Sequence, residues 1–208
     1  MTNPLKTILL ILISGISYTQ DFEGIIKYEY NYQPKTNELS AEFLKKELGG
    51  NVISYVKNGF LKQISESEFM SLELYRYKDS KVYFMNGTET DTLRFMDIKK
   101  KENISYKHEI VKNADTILNI VCDKLIYIDK YGKKEYYYSS KLSLNPKYYT
   151  NFNYSNQNEI LKLTKAVSLK VVSNYNMFVV EKIAVDIKKV RLEDNTFNLP
   201  KHSVLKQE

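Results

Sequence analysis

Few side chains in this sequence carry reactive chemistry, and they are scattered. The single Cys122 sits in Ile120-Val121-Cys122-Asp123-Lys124-Leu125, an apolar, strand-like setting. A thiol nucleophile needs a base beside it, and neither His108 nor His202 belongs to a recognisable partner pattern. Cys122 therefore reads as a small buried hydrophobe. Metal sites need clustered His, Cys or carboxylates, whereas His108 stands beside Glu109 alone and His202 lies in the tail. Glu66-Ser67-Glu68 and Glu89-Thr90-Asp91 pair carboxylates as acid–base catalysts do. Both fall in turn-like stretches, where solvation accounts for them. There is no Gly-rich phosphate loop and no Gly-x-Ser-x-Gly elbow. The sequence names no catalytic residue, no metal ligand and no cofactor, and a non-enzymatic role is expected.

An aromatic ladder is the more informative pattern. Along Phe22–Tyr32 the residues Phe22, Gly24, Ile26, Tyr28, Tyr30 and Tyr32 share one face of an extended strand. Glu23, Lys27, Glu29 and Asn31 take the other. Two readings stand open. Ile26, Tyr28 and Tyr30 either pack a solid core or line an interior cavity; tyrosine tolerates both oil and water, which suits an amphiphile pocket. On the second reading Phe43 and Leu44, from a nearby helix, complete the wall. The candidate lining is then Ile26, Tyr28, Tyr30, Phe43 and Leu44.

The elements that would position these residues are mostly strands. Within Lys35–Leu48, the spacing of Leu39, Phe43, Leu44 and Leu48 predicts one amphipathic helix, Thr36–Leu48, that Gly49-Gly50 can end. Val52–Lys57 and Phe60–Ser65 flank Asn58-Gly59, a strong hairpin signal because a type I′ turn needs positive φ at both positions. Further strands are expected at Leu72–Tyr77, Lys81–Met85, Thr90–Met96, Tyr106–Lys112 and Ile117–Asp129, the last two parted by Asn113-Ala114-Asp115. Lys134–Ser139, Ile160–Thr164, Ala166–Ser173 and Met177–Lys189 follow. Tyr138–Tyr149 reads as irregular around Pro146, and the chain ends in a polar tail. Roughly ten strands with short turns and one helix predict a mainly β (α+β) fold, an antiparallel sheet curled into a half-barrel with one covering helix.

Composition agrees. Hydrophobic content of 43% and charged content of 27% belong to a globular chain. Eighteen Tyr with seven Gly favour sheet. The net charge of +6 invites a nucleic-acid reading, but Arg76, Arg94 and Arg191 are the only arginines among 31 basic residues. Arginine is the better bidentate reader of phosphate and guanine, so no nucleic-acid partner is expected. The start has the tripartite pattern of an export signal: Lys6, the apolar run Ile8–Ile16, then Ser17 and Thr19 before Gln20. Residues 1–19 are read as a signal peptide and 20–208 as one domain. The run is too short to span a bilayer, and no Cys lies at the cut to take a lipid. The mature chain is expected to be periplasmic or extracellular, not membrane-spanning, with its oligomeric state open.

Three landmarks carry a family resemblance: Phe22-Glu23-Gly24-x-Ile26-x-Tyr28, then Asp115-Thr116-Ile117-x4-Cys122-x-Lys124-Leu125, then Asp194-x2-Phe197-x-Leu199-Pro200. Together they resemble uncharacterised exported proteins of Gram-negative bacteria distantly similar to outer-membrane lipoprotein carrier and sorting proteins, the LolA-like fold. Leu118-Asn119-Ile120-Val121 stands where those proteins usually have a Gly-Tyr pair. The resemblance implies a β half-barrel with a helical lid over an apolar concave face. Such a face accommodates acyl chains. The expected function is therefore a binding protein or carrier for a lipid, a lipoprotein or another amphiphile; the alternative is an interaction or structural module that binds another envelope protein, with a packed interior and no small ligand. The resemblance supplies no catalytic residue.

Overall fold

The structure, a computed structural model, describes residues 21–99, 104–202 and 204–207. The expected signal peptide at 1–19 lies outside them. Among the described residues twelve strands form one sheet. In chain order the elements are β1 (Gly24–Pro34), α1 (Ala41–Leu48), β2 (Asn51–Lys57), β3 (Phe60–Ser65), β4 (Leu72–Arg76), β5 (Lys81–Met85) and β6 (Thr92–Asp97). Then come β7 (Lys107–Ile117), β8 (Ile120–Asp129), β9 (Gly132–Ser143), α2 (Gln157–Thr164), β10 (Ala166–Asn174), β11 (Phe178–Lys189) and β12 (Val204–Gln207). Their spatial order is β12-β6-β5-β4-β3-β2-β1-β11-β10-β9-β8-β7. Every pairing is antiparallel except β12 on β6. The fold is mainly β: an open, curled antiparallel sheet with a covering helix.

Local sequence explains much of this. The β1 alternation survives intact, with Ile26, Tyr28 and Tyr32 buried. Gly24 is required there, because a Cβ would sit 2.1 Å from the Lys188 carbonyl oxygen on β11. Asn58 and Gly59 turn β2 into β3 with φ of 25° and 84°. Ser40 caps α1 by accepting from Phe43 N at 3.0 Å, so the helix begins at Ala41 rather than Thr36.

Four expectations are corrected. The β7–β8 turn falls at Leu118-Asn119, both at positive φ, not at Asn113-Ala114-Asp115. The latter is a bulge inside β7 between Val111 and Asp115. Strand β9 runs on to Ser143 instead of ending at Ser139. Ile160–Thr164, expected as a strand, is the end of α2; so short an apolar run does not distinguish strand from helix by periodicity. The polar tail supplies β12, which joins the sheet through its backbone with all four side chains exposed.

Each face of the sheet is covered in part. On one face the chain between β9 and β10 folds back as a roof. It comprises the 3-10 turns Pro146–Tyr149 and Tyr154–Asn156 and then α2. Tyr75 of β4 stacks on Phe152 of the roof at 4.2 Å between centroids, and on Tyr149 at 5.6 Å. The Tyr75 hydroxyl donates to the Tyr148 carbonyl at 2.7 Å. Aromatic pairs of this kind add about 0.5–1.5 kcal/mol to simple burial. The roof's ends are tied by Leu144 N donating to the Lys165 carbonyl at 2.8 Å.

The opposite face of β3–β6 is covered by the segment after β11. Leu192 and Phe197 pack into a cluster with Leu72, Leu74, Tyr83 and Leu93. Lys57 Nζ donates to the Leu192 carbonyl and to Asp194, and Lys62 Nζ donates to the Thr196 carbonyl at 2.9 Å. Backbone carbonyls that would otherwise lack partners are satisfied in this way.

Candidate functional site

Between the curled sheet and the roof lies a cavity of about 380 Å³. Its floor is built from cross-strand rows. Ser54 of β2 pairs with Gln63 of β3, and Gln63 with Glu73 of β4. On the other side of β1, Tyr30 pairs with Lys182 of β11, Lys182 with Val171 of β10, and Val171 with Tyr136 of β9. The roof contributes Phe152, Tyr154, Ile160 and Leu161. The lining is mixed, aromatic and aliphatic walls around a small polar floor.

Two opposite charges face this space. Lys182 Nζ donates to Gln63 Oε1 at 2.6 Å and lies 4.4 Å from the centre of the Tyr28 ring. The cavity wall withdraws the partly exposed ammonium from water, and that desolvation lowers its pKa from the usual 10.5 to about 8; Glu73 opposes the shift. Glu73 is likewise desolvated, which raises its carboxyl above the usual value against the attraction of Lys182. Glu73 makes no hydrogen bond or salt bridge with any described residue; its charge acts on Lys182, Tyr30 and Tyr154 through space. Burial together with neighbouring charge raises the hydroxyl pKa of Tyr30. Tyr28 is anchored, its hydroxyl donating to the Ser168 carbonyl at 2.9 Å.

The structure brings two of the five expected residues to the cavity. Tyr28 and Tyr30 line it. Ile26 is fully buried in the core beneath. Phe43 and Leu44 lie on α1, which packs at the far end of β1 against the loop after β3; Ser67 Oγ donates to the Glu47 carbonyl at 2.7 Å there. Phe43 is 52% exposed and Leu44 is buried, and neither reaches the cavity. The covering helix over the cavity is α2, not α1. Glu73, Gln63 and Lys182 were not singled out in the sequence. In Leu72-Glu73-Leu74 the alternation assigns Glu73 to solvent, and nothing local reveals that the other face is covered as well.

Cys122 is fully buried and burial raises its thiol pKa, so a reactive thiolate is disfavoured. Among the described residues no group of three or more His, Cys, Asp or Glu could hold a metal ion. No described helix is long and apolar enough to cross a membrane.

No family model matches this sequence, and no curated protein does. Solved structures do. PNGF-II in its P21 crystal form superposes over 90% of this chain with a TM-score of 0.51 and 15% identity. This chain spans about a third of PNGF-II, 31% of its length. An uncharacterised conserved protein from Thermus thermophilus aligns over 88% of this chain and 90% of its own, with 9% identity and a TM-score of 0.46. At such identity the likeness to PNGF-II concerns the fold alone.

Proposed function

We propose that this is an exported, non-catalytic binding protein that carries an amphiphile, such as a lipid or the lipid moiety of a lipoprotein, between the curled sheet and its roof. The roofed cavity is the observation that carries this reading. At about 380 Å³ it falls within the range of small-molecule sites, about 300–1,000 Å³. A packed interior leaves few voids larger than one water. Burial of an acyl chain contributes roughly 0.8 kcal/mol per methylene, so aromatic and aliphatic walls suffice for affinity without catalytic groups. The signal pattern at residues 1–19 supports export.

Titration with a fluorescent fatty acid tests the reading. Saturable binding is expected, and Leu161→Trp, which fills the cavity from the roof, should abolish it. Equal signal from the filled variant would place the probe elsewhere and remove the support.

A second reading, an envelope interaction module, rests on a different feature. β7 is a long edge strand whose side chains from Lys107 to Ile110 are all exposed, and an open edge can accept another strand. Cross-linking from β7 positions in intact cells would reveal such a partner.

A further inference from the structure

The head group of the carried molecule follows from the polar floor, an inference that rests on the amphiphile reading above. Glu73 and Lys182 line one cavity with opposite charges, yet no salt bridge joins them. Lys182 is instead turned aside, donating to Gln63 Oε1 and held over the Tyr28 ring. One ammonium has three donors, and among the described residues a single acceptor, Gln63, takes one of them. The Glu73 carboxylate has no donor from any described residue. Both groups are only partly exposed, and charges held apart and partly withdrawn from water cost more than a closed pair. A molecule seated between them would remove that cost from both.

We propose that the cavity accepts a zwitterionic head group, its ammonium set against Glu73 and its anionic group against Lys182, with the apolar body under the Phe152 and Leu161 roof. A purely anionic head would leave Glu73 without a donor and place a negative charge beside it. A purely cationic head would do the converse at Lys182. Tyr30 and Tyr154 also line the cavity, their hydroxyls within the electrostatic reach of Glu73. Two sources share this chemistry, a free α-amino acid with a long side chain and a phosphoethanolamine lipid head.

Competition binding with tail-matched probes decides the matter: decanoic acid, decylamine, 2-aminodecanoic acid and a ten-carbon lysophosphatidylethanolamine. At least one zwitterion should bind ten times or more tighter than both singly charged probes, and which one does so identifies the source. In Glu73→Gln the preference over decanoic acid should vanish, and in Lys182→Met the preference over decylamine should vanish. If decanoic acid or decylamine binds wild type as tightly as the zwitterions, the proposal is overturned and the amphiphile reading stands. If either variant keeps the full preference, the assigned contact is wrong. If none of the four binds, the amphiphile reading falls and this inference with it. The wild-type ranking decides even where a variant folds poorly.

Discussion

Lys182 Nζ donates to Gln63 Oε1 at 2.6 Å although β1 and β2 lie between their strands. On a flat sheet three strand steps amount to about 14 Å, more than these two side chains can bridge. The contact therefore depends on the curl of the sheet, and it carries a charge across the floor of a cavity that the same curl creates. Fold and site are coupled through this one hydrogen bond.

The desolvated ammonium has a consequence for stability. The Lys182 pKa stands at about 8 in the folded protein against an ordinary 10.5. Between these values the unfolded chain holds a proton that the folded chain has released. This group's contribution to stability is therefore unfavourable below pH 8 and is relieved as pH rises towards 10.5. The groups facing it are Glu73, Tyr28, Tyr30 and Gln63. Chemical denaturation across this range should show wild type gaining stability relative to Lys182→Met. A constant difference would mean that Lys182 titrates normally.

The roof is held by aromatic stacking rather than by a strand. Phe152→Ala removes a fully buried ring from the Tyr75 stack and should cost about 3–5 kcal/mol, read as a lower urea midpoint. The same change opens the cavity, so fluorescent fatty-acid affinity should fall with it.

Phe197 offers the matching control. It is equally buried, but on the opposite face, 5.1 Å from the Phe60 ring. Phe197→Ala should also cost about 3–5 kcal/mol while affinity, measured well below the melting temperature, stays at the wild-type value. Parallel loss of affinity in both variants would show that binding tracks general stability and not the roof.

Export is open to a simple test. Expressed in a Gram-negative host with its native start, the protein should be recovered from the periplasm or medium with Gln20 as its first residue, as intact mass and N-terminal sequencing would report. Recovery from the cytoplasm with residues 1–19 still attached would contradict the export reading.

What was legible in the sequence was local. The β1 ladder and the Asn58-Gly59 turn each follow from a few adjacent residues, so both are found where the pattern puts them. The roof was not legible. Its α2 ends in an apolar run too short to carry a helical period, and Pro146 made the stretch before it look irregular. The α1 helix was legible as a helix, but nothing in Phe43 or Leu44 tells which part of the sheet they meet. Glu73 and Lys182 escaped notice for a related reason. Alternation on a strand assigns a charge to solvent, but the roof folds over the face from which Glu73 and Lys182 line the cavity. Only long-range folding decides that.

The central claim is that the cavity under the roof carries a small amphiphile, and native mass spectrometry of protein purified without detergent from the cells that make it tests it most directly. The account predicts a bound mass on wild type that is absent from Leu161→Trp. A bare polypeptide mass, together with no uptake of a fluorescent fatty acid, would contradict it.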